Sequence, residues 1–226
     1  PLHDIYSIED LKELIYQLKQ INPYAKVNVK LVSGAGIETI AVGVAKAGAD
    51  IIHISGGDGG TGAASLSSMK HAGIPWELSL WEVHKALVEN QLRENVILRV
   101  DGGLQTGKDI VMAAILGAEE FEFGKLLLIA QGCIMARICE KNTCPTGIAT
   151  HDEKFKAKYK GSPEHIVQML NYLAQNVHQH LAFLGVESLK KLIGRIDLLG
   201  IEDKYLSFIE ERNIQIDFLG QFEAKY

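Results

Sequence analysis

Three cysteines crowd into one short stretch, spaced Cys133-x5-Cys139-x4-Cys144, with Pro145 directly after the last. Thiolates are soft metal ligands, and an odd number of them packed together suits ligation in a reducing compartment better than a disulfide framework. Zinc sites normally use close C-x2-4-C pairs and four ligands, and this spacing offers neither. Three thiolates suit a cluster with only three cysteine-bound irons, and a proline after a cluster cysteine occurs in ferredoxins. Inert buried thiols fit the pattern equally well, since free cysteine is among the most buried residue types.

Lys30 is a second candidate, because it interrupts the apolar run Val27 to Val32. A buried ammonium is costly without a partner. Near the end of a strand it could bind a carboxylate substrate or stabilise negative charge on a reduced flavin ring, and the bland alternative is a lysine snorkelling to solvent. His53 is similarly placed in the next apolar run, where a satisfied histidine in a half-buried strand is the commoner outcome. The stretch Gly56-Gly57-Asp58-Gly59-Gly60-Thr61-Gly62 has five glycines in seven positions. Its amides can come close to a flat or anionic ligand that side chains would block, although a flexible surface loop reads the same way. Asp101-Gly102-Gly103 and Gly124-Lys125 form a further set, in which open amides and one compact cation could hold a phosphate. Lys125 is as readily a solvated cation.

The elements that must position these residues alternate. Ile8 to Ile21 has one apolar helical face, and Ser7 with Asp10 three positions on has the spacing of a capping box. Val27 to Val32 reads as a strand, followed by a small-residue helix from Ile37 to Ala47. Ile51 to Ile54 is a second strand, and a helix follows Pro75. Val96 to Val100 is a third, ending at Asp101, with a helix expected from Asp109 to Leu116. Glu120 to Phe123 is the fourth, ending at Gly124. Strands alternating with helices imply a parallel sheet, because parallel neighbours need a crossover. A doubly wound sheet and a (β/α)8 barrel both satisfy this. Each strand runs directly into glycine, lysine or acid, which favours the barrel, whose active sites are built at the carboxyl ends of the strands. Four units are spent by about residue 130, and a barrel needs eight. Ser162-Pro163-Glu164 then starts a helix that Gly185 can stop. The expected fold is α/β: half of a (β/α)8 TIM barrel over residues 1–150, followed by a helical extension over 151–226.

With 226 residues, 47% hydrophobic and 23% charged, the chain can bury one good core. A formal charge of -5 spread among dispersed lysines and arginines gives no footprint for nucleic acid. The longest apolar runs fall far short of the roughly 20 residues that span a bilayer, so no membrane partner is expected. Pro1 to Asp10 lacks the apolar core of a signal peptide, which places the protein in the cytoplasm. The first residue is not methionine, as in a piece cut from something longer.

The segments VKLVSGAGIETIAVGVAKAGAD, ISGGDGGTGAA, HAGIPWEL, DGGLQTGKDI, AAILGAEEFEFG, GCIMARICEKNTCPTGIATHD and LIGRIDLL together span about residues 27 to 199. They closely resemble the synthase domain of the glutamate synthase family. The resemblance implies strands 5 to 8 of the barrel and FMN at its mouth. It places the flavin at Lys30, Ser55, Gly56, Asp101, Gly102, Gly103 and Gly124, with the phosphate at Gly102, Gly103 and Gly124, and Lys125, the candidate cation above, joins this cofactor-binding set. It also implies a [3Fe-4S] cluster on Cys133, Cys139 and Cys144. The implied reaction adds ammonia to 2-oxoglutarate and reduces the product to L-glutamate, with Lys30 near the flavin and the oxo acid. Implied partners are an N-terminal half-barrel, a glutaminase domain or subunit, and ferredoxin or an NAD(P)H-oxidising subunit. Gly34, Glu38, Gly57, Glu122 and Lys125 depart from the family pattern. A carboxylate at Glu122 would repel a phosphate if it pointed inward. Other FMN barrels share a strand-end lysine and a DGG grip but lack the three-cysteine segment, and a non-catalytic half-barrel is the remaining alternative. Residues 201–226, with Tyr205, Phe208, Ile209 and Phe218, match no motif.

Overall fold

A computed structural model of the chain describes residues 5–59 and 66–212, which leaves Gly60, Thr61, Gly62 and Phe218 outside the described residues. Helix α1 spans Ile8–Ile21 and starts with the expected capping box, Ser7 Oγ accepting from the Asp10 amide. Strand β1 (Asn28–Val32) leads through α2 (Ile37–Lys46) to β2 (Ile51–Ser55). Helices α3 (Leu66–His71) and α4 (Trp76–Glu89) then lead to β3 (Ile97–Asp101). From there α5 (Gly107–Ile115) runs to the short β4 (Glu120–Phe121), and α6 (Lys125–Ala130) follows at once. The four strands form one parallel sheet in the order β1-β2-β3-β4. This is the expected α/β half-barrel order, with sequential strands adjacent and a helical crossover between each pair.

Side chains alternate across the sheet, as the two-residue period of a strand requires. Ile52, Ile54, Leu98 and Val100 point to the helical side, where all four are 0% exposed among residues of α2 and α4 such as Val44, Leu80, Val83 and Leu87. Each such side chain contributes about 1.5–3 kcal/mol on burial, so this layer fixes the strand register and with it what the other face presents. The other face carries Lys30, His53, Arg99 and Glu120 side by side in one row, with Val32, Ser55 and Asp101 in the row nearer the carboxyl ends.

Beyond β4, α7 (Glu153–Lys156) is a single turn, and α8 (Pro163–Leu184) ends at Gly185 in the left-handed conformation. Leu173, Val177 and Leu181 of α8 share a second core with Ile110, Val111, Ala114 and Ile115 of α5. Three short 3-10 turns and α9 (Leu206–Glu211) complete the described chain. Among the described residues no helix is long and apolar enough to cross a membrane.

Candidate active site

A line of alternating charges crosses all four strands on the sheet face away from the helices. Lys30 Nζ donates to Asp101 Oδ2 at 2.6 Å. Asp101 Oδ1 lies 3.3 Å from His53 Nε2, and His53 Nδ1 lies 3.7 Å from Glu122 Oε2. Arg99 Nη1 donates to Glu122 Oε1 at 2.9 Å, while its Nε and Nη2 both bind Glu120 Oε2, at 2.8 and 2.6 Å. The sequence-based expectation of a buried Lys30 is corrected: its side chain is 49% exposed, on an open face, and it has a carboxylate partner. The expectation of a satisfied His53 in a half-buried strand is corrected too, since β2 is buried throughout. His53 is 1% exposed, and neither its Nε2 nor Asp101 Oδ1 has a hydrogen-bond partner. Their 3.3 Å approach is an ion-pair distance without hydrogen-bond alignment. Burial works to raise the Asp101 carboxyl, but His53, Lys30 and the Ser55 hydroxyl outweigh it and hold the group well below the usual carboxylate range.

Above this line, the loops after β2 and β3 touch. The Gly56 amide donates to Asp101 O at 3.0 Å. Gly102 has φ +103°, and a Cβ there would fall 2.5 Å from the Gly56 nitrogen. These two glycines are therefore demanded by the close approach of two backbones, whatever ligand they also admit. Asp58 lies over Gly103, where a Cβ would meet the Asp58 side chain at 3.3 Å. Lys125 Nζ donates to the Asp58 carbonyl oxygen, which brings the β4 end to the same loop. Gly124, by contrast, has open space where a Cβ would be. A cleft of about 430 Å³ beside these loops has Gly57, Gly73, Trp76, Gly102 and Gly103 on its walls, within the ordinary range for small-ligand sites. Its lining also holds Asp58, Glu77 and Asp109 against one lysine, Lys70, so it suits a neutral part of a ligand better than a phosphate. The structure thus gathers Lys30, Ser55, Gly56, Asp101 and Gly102 at one sheet end, with Gly103 and Lys125 meeting at Asp58. The cleft beside them fits the uncharged part of a ligand.

The cysteines occupy the loop that α6 leads into; this helix of six residues is roughly 9 Å long and starts just after Gly124. Cys133 is half-buried, Cys139 exposed and Cys144 buried. Burial alone would raise the Cys144 thiol. Amides of Ala149, Thr146 and Ile148 and the Thr146 hydroxyl outweigh it and bring the group down to about 7. The Met135 amide donates to Cys133 Sγ at 3.4 Å. Among the described residues, four other than glycine have positive φ, and Met135, Arg137 and Asn142 of this loop are three of them. Backbone in that region costs of order 1–3 kcal/mol per residue and collects at binding sites. The three sulfurs do not share single-ion spacing: among the described residues only His53, Asp101 and Glu122 bring three such ligand atoms within 4.8 Å of one another. A three-iron cluster is larger than one ion, and a buried thiol wrapped in amides is what a cluster thiolate needs. In donor chemistry, Cys133, Cys139 and Cys144 fit such a group.

The sequence reading passed over Arg99 and Glu120 and noted Glu122 only as a departure. Their signal was the alternation in Ile97-Leu98-Arg99-Val100-Asp101, which sends Arg99 and Asp101 to one face. Glu122 does point inward, but Arg99 holds one of its oxygens, so its field is partly offset.

Solved structures define the class. A mandelate oxidase variant carrying a monooxide FMN adduct superposes with a TM-score of 0.54 at 19% identity, over 84% of this chain and 45% of that one. A flavocytochrome b2 variant with pyruvate bound gives 0.57 at 15% identity, over 98% and 45%. At this level of identity the likeness establishes fold: this is part of a (β/α) barrel of the kind those oxidases have. A family model described as a conserved region in glutamate synthase matches residues 1–187. The chain belongs to the glutamate synthase family. It is 62% identical to the ferredoxin-dependent glutamate synthase of Cyanidium caldarium and 61% to the glutamate synthase [NADPH] large chain of Azospirillum brasilense. Each match covers 88% of the chain but spans only 13% of the relative's length.

Proposed function

We propose that the chain is the carboxy-terminal half of the FMN barrel of a glutamate synthase, which forms L-glutamate from 2-oxoglutarate and ammonia. The observation that carries this reading is the meeting of Lys30, Asp101 and the glycines of two loops at one end of the sheet, in a chain of this family. Gly102, Gly103, Gly124 and Lys125 would hold the FMN phosphate. Cys133, Cys139 and Cys144 would hold a [3Fe-4S] cluster. When bound, the flavin supplies hydride and the cluster supplies electrons to it. The chain's own residues do the placing. Asp101 takes one of the three ammonium donors of Lys30, which leaves two for a carboxylate of the oxo acid. The carboxylate partner fixes where that charge sits before substrate arrives.

An N-terminal half-barrel would close the open face, and a glutaminase domain or subunit would deliver ammonia. The electron donor is ferredoxin or an NAD(P)H-oxidising subunit; the names of the relatives carry ferredoxin and NADPH. Three free thiols suit the reducing cytoplasm. The test uses the intact protein purified without oxygen: its visible spectrum should show flavin and iron-sulfur bands, and it should form glutamate from 2-oxoglutarate and ammonia when given a reduced donor. Lys30→Gln should lower kcat/KM for 2-oxoglutarate about 100-fold, the scale of losing one oriented charged donor. A colourless protein, or a Lys30→Gln variant of full activity, defeats the reading.

A further inference from the structure

Asn142 stands between Cys139 and Cys144, just after the 3-10 turn Cys139–Lys141, with φ +55° and ψ +21°. Asparagine is one of the few residues besides glycine that enter this left-handed region at small cost. Its side chain is used as well. Asn142 Oδ1 accepts from the His151 amide at 2.7 Å. The Thr150 hydroxyl donates to the Asn142 carbonyl oxygen at 2.7 Å, lies 3.1 Å from Oδ1, and in turn accepts from the Asp152 amide at 3.1 Å. Asp152 caps α7, so one asparagine fastens the start of that helix back to the turn after Cys139. Between the fastened ends lies Cys144, buried, with amides of Thr146, Ile148 and Ala149 gathered on its sulfur. The Gly147 amide donates to Cys144 O at 3.1 Å, and a Cβ on Gly147 would fall 2.6 Å from Phe155 O of α7. The segment that wraps Cys144 is therefore laid backbone against backbone on α7.

We propose that Asn142 is a positioning residue for the cysteine loop: its left-handed backbone and its bonds to Thr150 and His151 hold Cys144, with the amides around its sulfur, in place before an iron-sulfur cluster is loaded. Several amides converge on one sulfur only while the ends of their segment are held together, and an open loop loses chain entropy each time it closes. A loop already closed meets the cluster without that loss. The bonds of Asn142 face water, so they add little to the stability of the whole fold; what they fix is the path of the chain around Cys144. Partners outside the ligand set of a metal site commonly govern its affinity 10–100-fold in this indirect way. Cys133 lies outside the closed loop and takes the Met135 amide instead, so the action of Asn142 falls on Cys144.

The consequence for a cluster rests on the proposed function; the closure of the loop does not. In the intact protein purified without oxygen, wild type, Asn142→Asp, Asn142→Gly and Asn142→Ala would be compared for the rate at which a chelator bleaches the iron-sulfur absorption. Asn142→Gly keeps the backbone conformation but loses the acceptor, and should bleach about tenfold faster. Asn142→Ala loses both and should bleach at least as fast, whereas Asn142→Asp keeps both and should match wild type. Flavin content and the thermal unfolding midpoint should stay the same in all four. A glycine variant as slow as wild type, an aspartate variant as fast as alanine, or bleaching matched by flavin loss and a lowered midpoint overturns the proposal. If wild type holds no iron, the cluster reading fails separately, and alkylation of the native metal-free protein decides on the loop. Cys144 should then be labelled about tenfold faster in Asn142→Gly than in wild type, while the exposed Cys139 keeps its rate. Equal rates at Cys144 reject it.

Discussion

His84 accepts a hydrogen bond that a protonated ring could not: Arg93 Nε donates to its Nδ1 at 3.1 Å, while the rest of the guanidinium binds Val96 O, Gly117 O and Glu119. Burial first, and the Arg93 charge second, push His84 down to about 4, against a smaller opposing pull from Glu119. Between about pH 4 and 6.5 the unfolded chain then binds a proton that the folded chain refuses, so stability should rise with pH across that window and fall on acidification. His84→Gln keeps an acceptor for Arg93 and removes the titration. Denaturant unfolding should show the variant less pH-dependent by about 2 kcal/mol across the window, after allowance for partial exposure. Equal slopes for variant and wild type would refute the assignment. Nothing local in the sequence announced this residue, because its partner Arg93 is itself held by Glu119, which is supplied from the far side of β3 and α5. The same holds at the site. Lys30 was legible as a charge in an apolar strand, yet its partner Asp101 is 71 residues away, and only the register of three strands shows that they meet.

Among the elements, local chemistry was the legible part. Ser7 and Asp10 cap α1 as their spacing promised, Gly185 stops α8, and the strands fall within one or two residues of the apolar runs. The start of α5 was misplaced at Asp109, although Thr106 and Asp109 form the same capping box and the helix begins at Gly107. Helices α3 and α6 went unread because six residues are too few to show a helical period. What no local pattern could give is the contact between α5 and α8. The Gly107 amide donates to Asn176 Oδ1 at 2.8 Å, and a Cβ on Gly107 would lie 2.5 Å from the Val177 nitrogen. In an isolated helix Gly→Ala gains about 1 kcal/mol. Here Gly107→Ala must push two helices apart, and overpacking of this kind costs about 1–3 kcal/mol, so urea unfolding should show a net loss of stability. An alanine variant as stable as wild type would mean that α8 does not rest on α5 as closely as described.

At the scale of the molecule, the sheet leaves β1 and β4 without a second neighbour among the described residues, and Val32 on its non-helical face is 63% exposed. Unpaired parallel edges and a charged, uncovered face are what a barrel presents when cut in two. The oxidase structures agree in proportion, since the chain covers 45% of each. If an upstream half closes the barrel, both edges gain a hydrogen-bonded neighbour and Lys30 and Asp101 lose most of their contact with water. The Lys30 ammonium would then act in a lower dielectric, where its attraction for an anion strengthens. Hydrogen exchange on the intact protein reads this directly: amides of Asn28–Val32 and Glu120–Phe121 should be protected to the same degree as those of Ile51–Ser55, which already have neighbours on both sides. Edge strands that exchange like loops while β2 stays protected would show that the sheet ends where this chain ends, and that the charged face does its work open to solvent.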